Sequence, residues 1–169
     1  MDIALKYTIC FIFLHNQVLM LNRLKKPNMG LWNGVGGKIE MGETPLMGIK
    51  REITEETGII LEDSKILSCG KVCWFNEGDP LNYGGMYLFR ADLLSYDDRL
   101  LQQTDEGILC FKKVDWVLDD HNLGIVSNIR FFLPYVCDDQ RQYQHNFRYR
   151  KIAEGGQSIC YHEHLLQDL

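Results

Sequence analysis

Hydrophobic and polar residues alternate along much of the chain in the way typical of β-strands. Residues 6–14 are β-branched and aromatic, which indicates a buried strand, and residues 18–22 predict its hairpin partner across a polar turn at 15–17. Further strands are predicted in the middle of the chain and in a hairpin near its end: residues 65–75, 83–92, 108–114, and 143–150 with 157–162, joined around 154–156.

Two segments carry the signals of helices instead. Thr44 suits a helix cap, Pro45 is tolerated at the first helical position, and Gly58 suits the end, so a helix is predicted over residues 45–57. A second helix is predicted over residues 127–136. Strands and helices mix without a regular βαβ rhythm, which predicts an α+β fold with a mixed β-sheet.

Length and composition set the size of the folding unit. The chain has 169 residues, of which 46% are hydrophobic and 24% are charged. These values are typical of one globular domain that buries its own core. We therefore expect a single domain over residues 1–169, with the hairpin around residues 143–162 as a C-terminal extension.

Net charge and the lack of targeting signals limit which binding partners are expected. The net charge of −5 argues against duplex nucleic acid, because proteins that bind it present a broad basic surface. No signal peptide is visible and the apolar run at residues 7–14 is too short to cross a bilayer, so no membrane association is expected. The six cysteines lack metal-finger spacing and lie among apolar residues, which favours reduced thiols and a cytoplasmic location.

The first predicted helix carries three carboxylates on one side. Glu52, Glu55 and Glu56 are spaced i, i+3 and i+4, so their side chains are neighbours on the helix surface. Their mutual repulsion is destabilising, and a hard divalent cation such as Mg²⁺, which takes carboxylate oxygens as ligands, would reverse that effect. Taken alone, such a cluster is more typical of an exposed acidic helix face.

The residues around this helix favour the metal site. Gly37, Glu43 and residues 51–59 match the pattern G-x5-E-x7-R-E-U-x-E-E-x-G-U, where U is apolar, at every fixed position. From average residue usage, a chance match is expected at about one starting position in 10⁸. This pattern is the Nudix box, and the chain resembles the Nudix hydrolases. The resemblance implies an α/β/α sandwich with a mixed sheet around the box loop and helix. It also implies hydrolysis of a nucleoside diphosphate linked to another moiety, with Mg²⁺ or Mn²⁺ as cofactor.

The resemblance implies which residues hold the metal. The ligands are the Gly37 carbonyl and the carboxylates of Glu52, Glu55 and Glu56. Glu52 is also the candidate base that activates the attacking water. Metal ions and a base suit the reaction, because hydrolysis of a pyrophosphate link needs an activated water and neutralised phosphates.

Three further residues are implied in catalysis. Glu43 and Arg51 are expected to pair and to hold the box loop against the helix. Glu106 falls where many relatives place a late acidic residue that binds metal or moves a proton. A solvated turn residue is the alternative interpretation of Glu106, and Lys25 and Lys26 are interpreted as solvated loop residues.

Residues 32–38 and 42–44 resemble the MutT-like 8-oxo-dGTP diphosphatases, which include the oxidised purine nucleoside triphosphatases of animals. That branch implies a nucleoside triphosphate pyrophosphohydrolase that releases nucleoside monophosphate and pyrophosphate, with 8-oxo-dGTP as one candidate substrate. Hydrolysis of ADP-ribose, dinucleoside polyphosphates or the 5′-triphosphate of RNA stays open, and so does a non-catalytic nucleotide sensor. The oligomeric state is open too, with a homodimer as one alternative.

Substrate contacts are predicted at four positions. Arg23 and Lys38 flank the box and add positive charge for phosphates. Asn33 offers a donor and an acceptor to a purine edge, and Thr8 sits where the MutT-like branch has a threonine. Packing in the core is the favoured role for Trp32.

One stretch departs from the animal branch. Those relatives carry adjacent carboxylates just before the second helix, where they contact the oxidised purine, whereas this chain has residues 123–128 there. Asp119 and Asp120 lie a few residues earlier. The departure weakens the expectation of 8-oxo-guanine specificity but not that of hydrolysis.

Overall fold

The computed structural model describes residues 5–97, 103–138, 141–151 and 157–167. Its strands are β1 (Tyr7–Leu14), β2 (Gln17–Arg23), β3 (Trp32–Asn33), β4 (Ile66–Asn76), β5 (Asp79–Leu93), β6 (Gly107–Lys113), β7 (Tyr143–Lys151) and β8 (Gln157–Leu166). Its helices are α1 (Pro45–Thr57), α2 (Val114–Leu118) and α3 (Ile129–Asp138). The turn predicted around residues 154–156 lies outside the described residues.

One mixed sheet joins these strands. The strand order is β3-β2-β1-β5-β4-β7-β8, and β6 pairs with β2 off this path. Strand β1 is parallel to β5 and β4 is parallel to β7, whereas the other pairs are antiparallel. The predicted α+β class with a mixed sheet is confirmed.

Strands β1 and β2 pair only near their connecting turn, over residues 12–14 and 17–19. Further along, the box loop takes the place of β2 beside β1. The backbone of Cys10 exchanges hydrogen bonds with Val35 at 2.7 and 3.1 Å, and the Thr8 N–H donates to the Gly37 carbonyl at 2.8 Å. The hairpin predicted from the sequence is therefore open at one end, and the loop that carries the box is held within the sheet.

Helix α1 lies on one face of the sheet with the ends that its sequence predicts. Thr44 Oγ1 accepts the N–H of Met47 at 3.2 Å, and Gly58 caps the last turn. Ile49 and Ile53 are buried against the sheet. Because this apolar stripe fixes the rotation of the helix, the carboxylates next to it are held toward the box loop.

Helix α3 fills the opposite face. Phe132 and Leu133 are fully buried there and belong to the same core cluster as Phe11 and Phe147. The helix begins two residues later than predicted, at Ile129. Helix α2 was not predicted, since its 5 residues are too short to show a helical period.

The structure bears on two expectations, the absence of membrane association and the reduced state of the thiols. Among the residues that the structure describes, no helix is long and apolar enough to span a bilayer. The side chain of Cys160 lies outside the described residues. None of the other five cysteines is in a disulfide bond: Cys10, Cys69, Cys73, Cys110 and Cys137. The single-domain boundary stays a prediction.

Candidate active site

A cleft of about 890 Å³ opens between the box and the ends of strands β1, β4 and β5. Helix α1 contributes Glu52, Glu55 and Glu56 to its wall, and the turn before β6 contributes Glu106. Glu106, for which a solvated turn was the alternative, is thus placed at the same cleft as the box carboxylates.

The carboxylate of Glu52 lies against the backbone of Gly37 in the box loop. A Cβ atom at Gly37 would lie 2.5 Å from the carboxyl carbon of Glu52, so any other residue would displace that carboxylate. The Gly37 carbonyl accepts the N–H of Thr8 at 2.8 Å, which fixes the loop on β1. The glycine therefore allows the Glu52 carboxylate to lie directly against the loop backbone.

Arg51 ties the box loop to the helix. Its Nε and Nη2 donate to Glu43 at 2.8 and 3.0 Å, and its Nη1 donates to Glu52 at 2.9 Å. The guanidinium also reaches Glu55 at 3.2 Å and the Lys38 carbonyl at 2.9 Å. The hydrogen bond from Arg51 holds the pKa of the Glu43 carboxyl below its usual value. The predicted pair of Glu43 and Arg51 is formed in the structure, where it orients Glu52.

Glu56 is the most buried carboxylate of the set, with 5% of its surface exposed. It accepts the N–H of Gly36 at 3.1 Å. Burial raises the pKa of Glu56 to about 8; the Gly36 N–H and Arg23 oppose the rise, and Glu52 and Glu106 add to it. Burial also raises the pKa of Glu52. Ionising both groups together is costly without a compensating positive charge.

The donors of this cleft fit a hard divalent cation. They are carboxylate and carbonyl oxygens, which Mg²⁺ prefers, and a cation would offset the penalty that raises the pKa of Glu56. Glu52 and Glu55 turn toward Arg51, and Glu56 turns toward Gly36. Within the described parts of the chain, no three His, Cys, Asp or Glu side chains converge on one point.

Divalent cation should raise the melting temperature, and more so at higher pH. Because the pKa of Glu56 is raised from 4.5 to about 8, the folded protein loses stability as the pH rises between those values. We expect Mg²⁺ at ten times its Kd to add about 3–6 °C, with a larger gain at pH 8 than at pH 6. Glu56→Gln should reduce the gain and its pH dependence, measured by differential scanning fluorimetry. Glu62→Gln, on an exposed residue outside the cleft, is the control, and an equal gain in all three proteins would contradict the assigned site.

Comparison with known proteins identifies the family. The family model described as the NUDIX domain matches residues 5–122, which include the whole box and Glu106. The chain belongs to the Nudix hydrolase family. The mutator MutT protein of Bacillus halodurans has the same fold, with a TM-score of 0.75 and 29% identity over 94% of this chain and 95% of its own.

Two relatives in sequence support the family. An uncharacterized Nudix hydrolase of Bacillus subtilis, YvcI, is 29% identical over 85% of this chain and 86% of its own length. The oxidized purine nucleoside triphosphate hydrolase of Mus musculus is 36% identical over 51% of this chain and 53% of its own length. The similarity to the mouse protein thus spans about half of each chain.

The predicted substrate residues of this Nudix hydrolase come together at the cleft. Thr8, Arg23, Asn33 and Lys38 all line it. Asn33 Oδ1 accepts the N–H of Gly34 at 2.9 Å, which sets the orientation of its amide. Their placement on one cleft agrees with the prediction, while their roles remain proposals.

The sequence did not reveal the apolar end of the cleft. Tyr7, Ile9, Trp74 and Met86 line this end, from three strands. The rings of Tyr7 and Trp74 have centroids 6.4 Å apart. A Cβ atom at Gly84 would lie 2.6 Å from Trp74 Nε1, so the glycine lets the indole lie on strand β5. Trp74 reaches the cleft because β4 pairs with β5, which in turn pairs with β1.

Other aromatic and acidic candidates lie away from the cleft wall. Trp32 packs against the core, as expected, and its ring centroid is 6.3 Å from that of Trp116. Asp119 and Asp120 are exposed and lie near His121 and Arg130 rather than at the cleft. The structure therefore does not place these two carboxylates at the cleft.

Proposed function

We propose that this Nudix hydrolase cleaves nucleoside triphosphates to nucleoside monophosphate and pyrophosphate with a divalent cation, and that 8-oxo-dGTP is one candidate substrate. One observation carries the proposal. A single cleft has a carboxylate wall at Glu52 and Glu56 and an aromatic end at Trp74 and Tyr7. The carboxylates suit cation-bound phosphates, and the aromatic rings suit a nucleobase.

The relatives support the same substrate class. The Bacillus halodurans structure is named as a mutator MutT protein, and the mouse relative is named as a hydrolase of oxidized purine nucleoside triphosphates. A Proteus vulgaris relative, named as an 8-oxo-dGTP diphosphatase, is 41% identical over 31% of this chain. All the box carboxylates are kept, which favours an enzyme over a non-catalytic nucleotide sensor.

Separate residues at the cleft activate the water, bind the phosphates and bind the base. Glu52, oriented by Arg51, takes a proton from the attacking water. Arg23 and Lys38 face the phosphates with positive charge, and Asn33 offers its amide to the base. When bound at the Glu52–Glu56 carboxylates and the Gly37 carbonyl, the cation supplies charge neutralisation and lowers the pKa of the water.

Discrimination of oxidised purines is expected to be modest. Asp119 and Asp120 do not line the cleft, so no adjacent carboxylates at these two positions hydrogen-bond the base. The base then binds by contact with Trp74, Met86 and Asn33, and such contacts accept several purines.

A substrate panel tests the proposal. Normal and oxidised nucleoside triphosphates, ADP-ribose, diadenosine polyphosphates and triphosphorylated RNA are assayed with Mg²⁺ and Mn²⁺, with products separated by ion-exchange chromatography. We expect monophosphate and pyrophosphate from the triphosphates. Release of γ-phosphate as inorganic phosphate would contradict the proposal, and faster hydrolysis of another substrate would replace it. Absence of hydrolysis, with nucleotide binding retained, would favour the sensor.

A further inference from the structure

A short turn beside the cleft brings Lys25 and Glu106 together. Strands β2 and β6 pair as far as Arg23 opposite Gly107, and the N–H of Leu24 then donates to the Glu106 carbonyl at 2.9 Å. Just beyond this backbone contact, Lys25 Nζ lies 2.5 Å from Glu106 Oε1. Paired backbone on both sides thus brings the two residues together.

The two partners differ in position. Glu106 lines the cleft, close enough to the box for its charge to raise the pKa of Glu56, whereas Lys25 does not line it. Thr104 Oγ1 accepts the N–H of Glu106 at 3.2 Å and holds the turn. The Lys25 side chain is 56% exposed and that of Glu106 is 36% exposed. Ion pairs as exposed as this one are weak, so the ammonium exchanges partners readily.

We propose that Lys25 is a movable counter-ion for Glu106. In the structure its ammonium forms an ion pair with Glu106 Oε1. A polyphosphate bound along the cleft draws the ammonium to its own oxygens and leaves the carboxylate to the divalent cation. Lys25 thereby couples cation binding to substrate binding. The inference rests on the proposed function, because it takes a polyphosphate as substrate and Glu106 as a cation ligand.

The charges on the cleft set the direction of this exchange. Glu52 and Glu106 repel an incoming anion, and Lys25 offsets one of these charges. Once phosphates enter, they offer the ammonium several charged oxygens at once, and such charge-assisted hydrogen bonds are strong. In the sequence, Lys25 was interpreted as a solvated loop residue. The pairing of β2 with β6 brings it to Glu106, and that pairing is visible only in the fold.

Manganese binding to the protein without nucleotide tests the competition for Glu106. Lys25→Met removes the ammonium and keeps a long flexible side chain, so Mn²⁺ should bind about two- to fivefold more tightly than to wild type, by isothermal titration calorimetry. Lys26→Met makes the same change on the neighbouring residue and should alter the affinity much less. In a Glu106→Gln background, Lys25→Met should have no effect. Unchanged or weaker binding to Lys25→Met, or equal tightening in Lys26→Met or in the Glu106→Gln background, overturns the proposal.

Steady-state kinetics test the transfer to the phosphates. At saturating Mg²⁺, Lys25→Met should raise KM for a nucleoside triphosphate about two- to fivefold with kcat preserved, and Lys25→Arg should restore KM. An unchanged KM in Lys25→Met overturns the transfer. The Mn²⁺ titration needs no turnover. A wrong substrate class therefore shows in the substrate panel, and a wrong role for Lys25 shows in the titration.

Discussion

Glu52→Gln should lower kcat for pyrophosphate release by about 10²–10⁴ and change KM by less than about threefold. Glutamine keeps the size of the side chain and an oxygen that accepts the hydrogen bond of Arg51, so the loop and helix stay in place. It loses the charge and the basicity needed to take a proton from water. Loss in kcat alone indicates an interaction made in the transition state.

One control variant and three variants of the other candidate bases accompany this experiment. Glu62→Gln makes the same chemical change on an exposed residue outside the cleft and should leave kcat near wild type. Glu55→Gln alters the most exposed box carboxylate, whose side chain is 59% exposed. Near-normal turnover of Glu52→Gln, with a large loss in Glu55→Gln, Glu56→Gln or Glu106→Gln, would transfer the role of base to the residue whose variant fails.

Acidification should destabilise the protein through His145. This residue is fully buried on β7, its Nδ1 lies 3.4 Å from His162 Nε2, and the Tyr135 hydroxyl lies 2.9 Å from His164 Nε2. Burial, with smaller contributions from His162 and His164, lowers the pKa of His145 from 6.5 to about 3. Between about pH 6.5 and pH 3, His145 therefore binds a proton in the unfolded chain but not in the folded protein. Below about pH 6.5, this residue lowers the free energy of unfolding by about 1.4 kcal/mol per pH unit, down to about pH 3.

Urea unfolding at pH 7 and pH 5 measures this effect. The wild type should lose about 2 kcal/mol from His145 across that interval, and His145→Leu should lose correspondingly less. Val136→Ala is the matched control, because it removes a buried apolar group of helix α3 that carries no proton. It should therefore lower the stability at both pH values without changing the difference between them. An equal difference in wild type and His145→Leu would refute the buried-histidine explanation.

The amino-acid sequence by itself determined helix α1 and the grouping of its carboxylates on one side. Its cap at Thr44, its end at Gly58 and the spacing of Glu52 and Glu56 are local properties, since each depends on residues within a few positions along one helix. The pairing of Arg51 with Glu43 follows from the box and is formed in the structure. The family could be identified from the sequence because the box is one continuous segment.

Only the tertiary structure decided what faces this helix across the cleft. Trp74 reaches the cleft because β4 pairs with β5 at Gly84, and Lys25 meets Glu106 because β2 pairs with β6. His145 is buried because β7 and β8 pack against α3. Lys25 and Glu106 in particular lie 81 positions apart along the chain. Side-chain alternation shows which residues share a face of a strand, but the neighbours of that face depend on strand order and register.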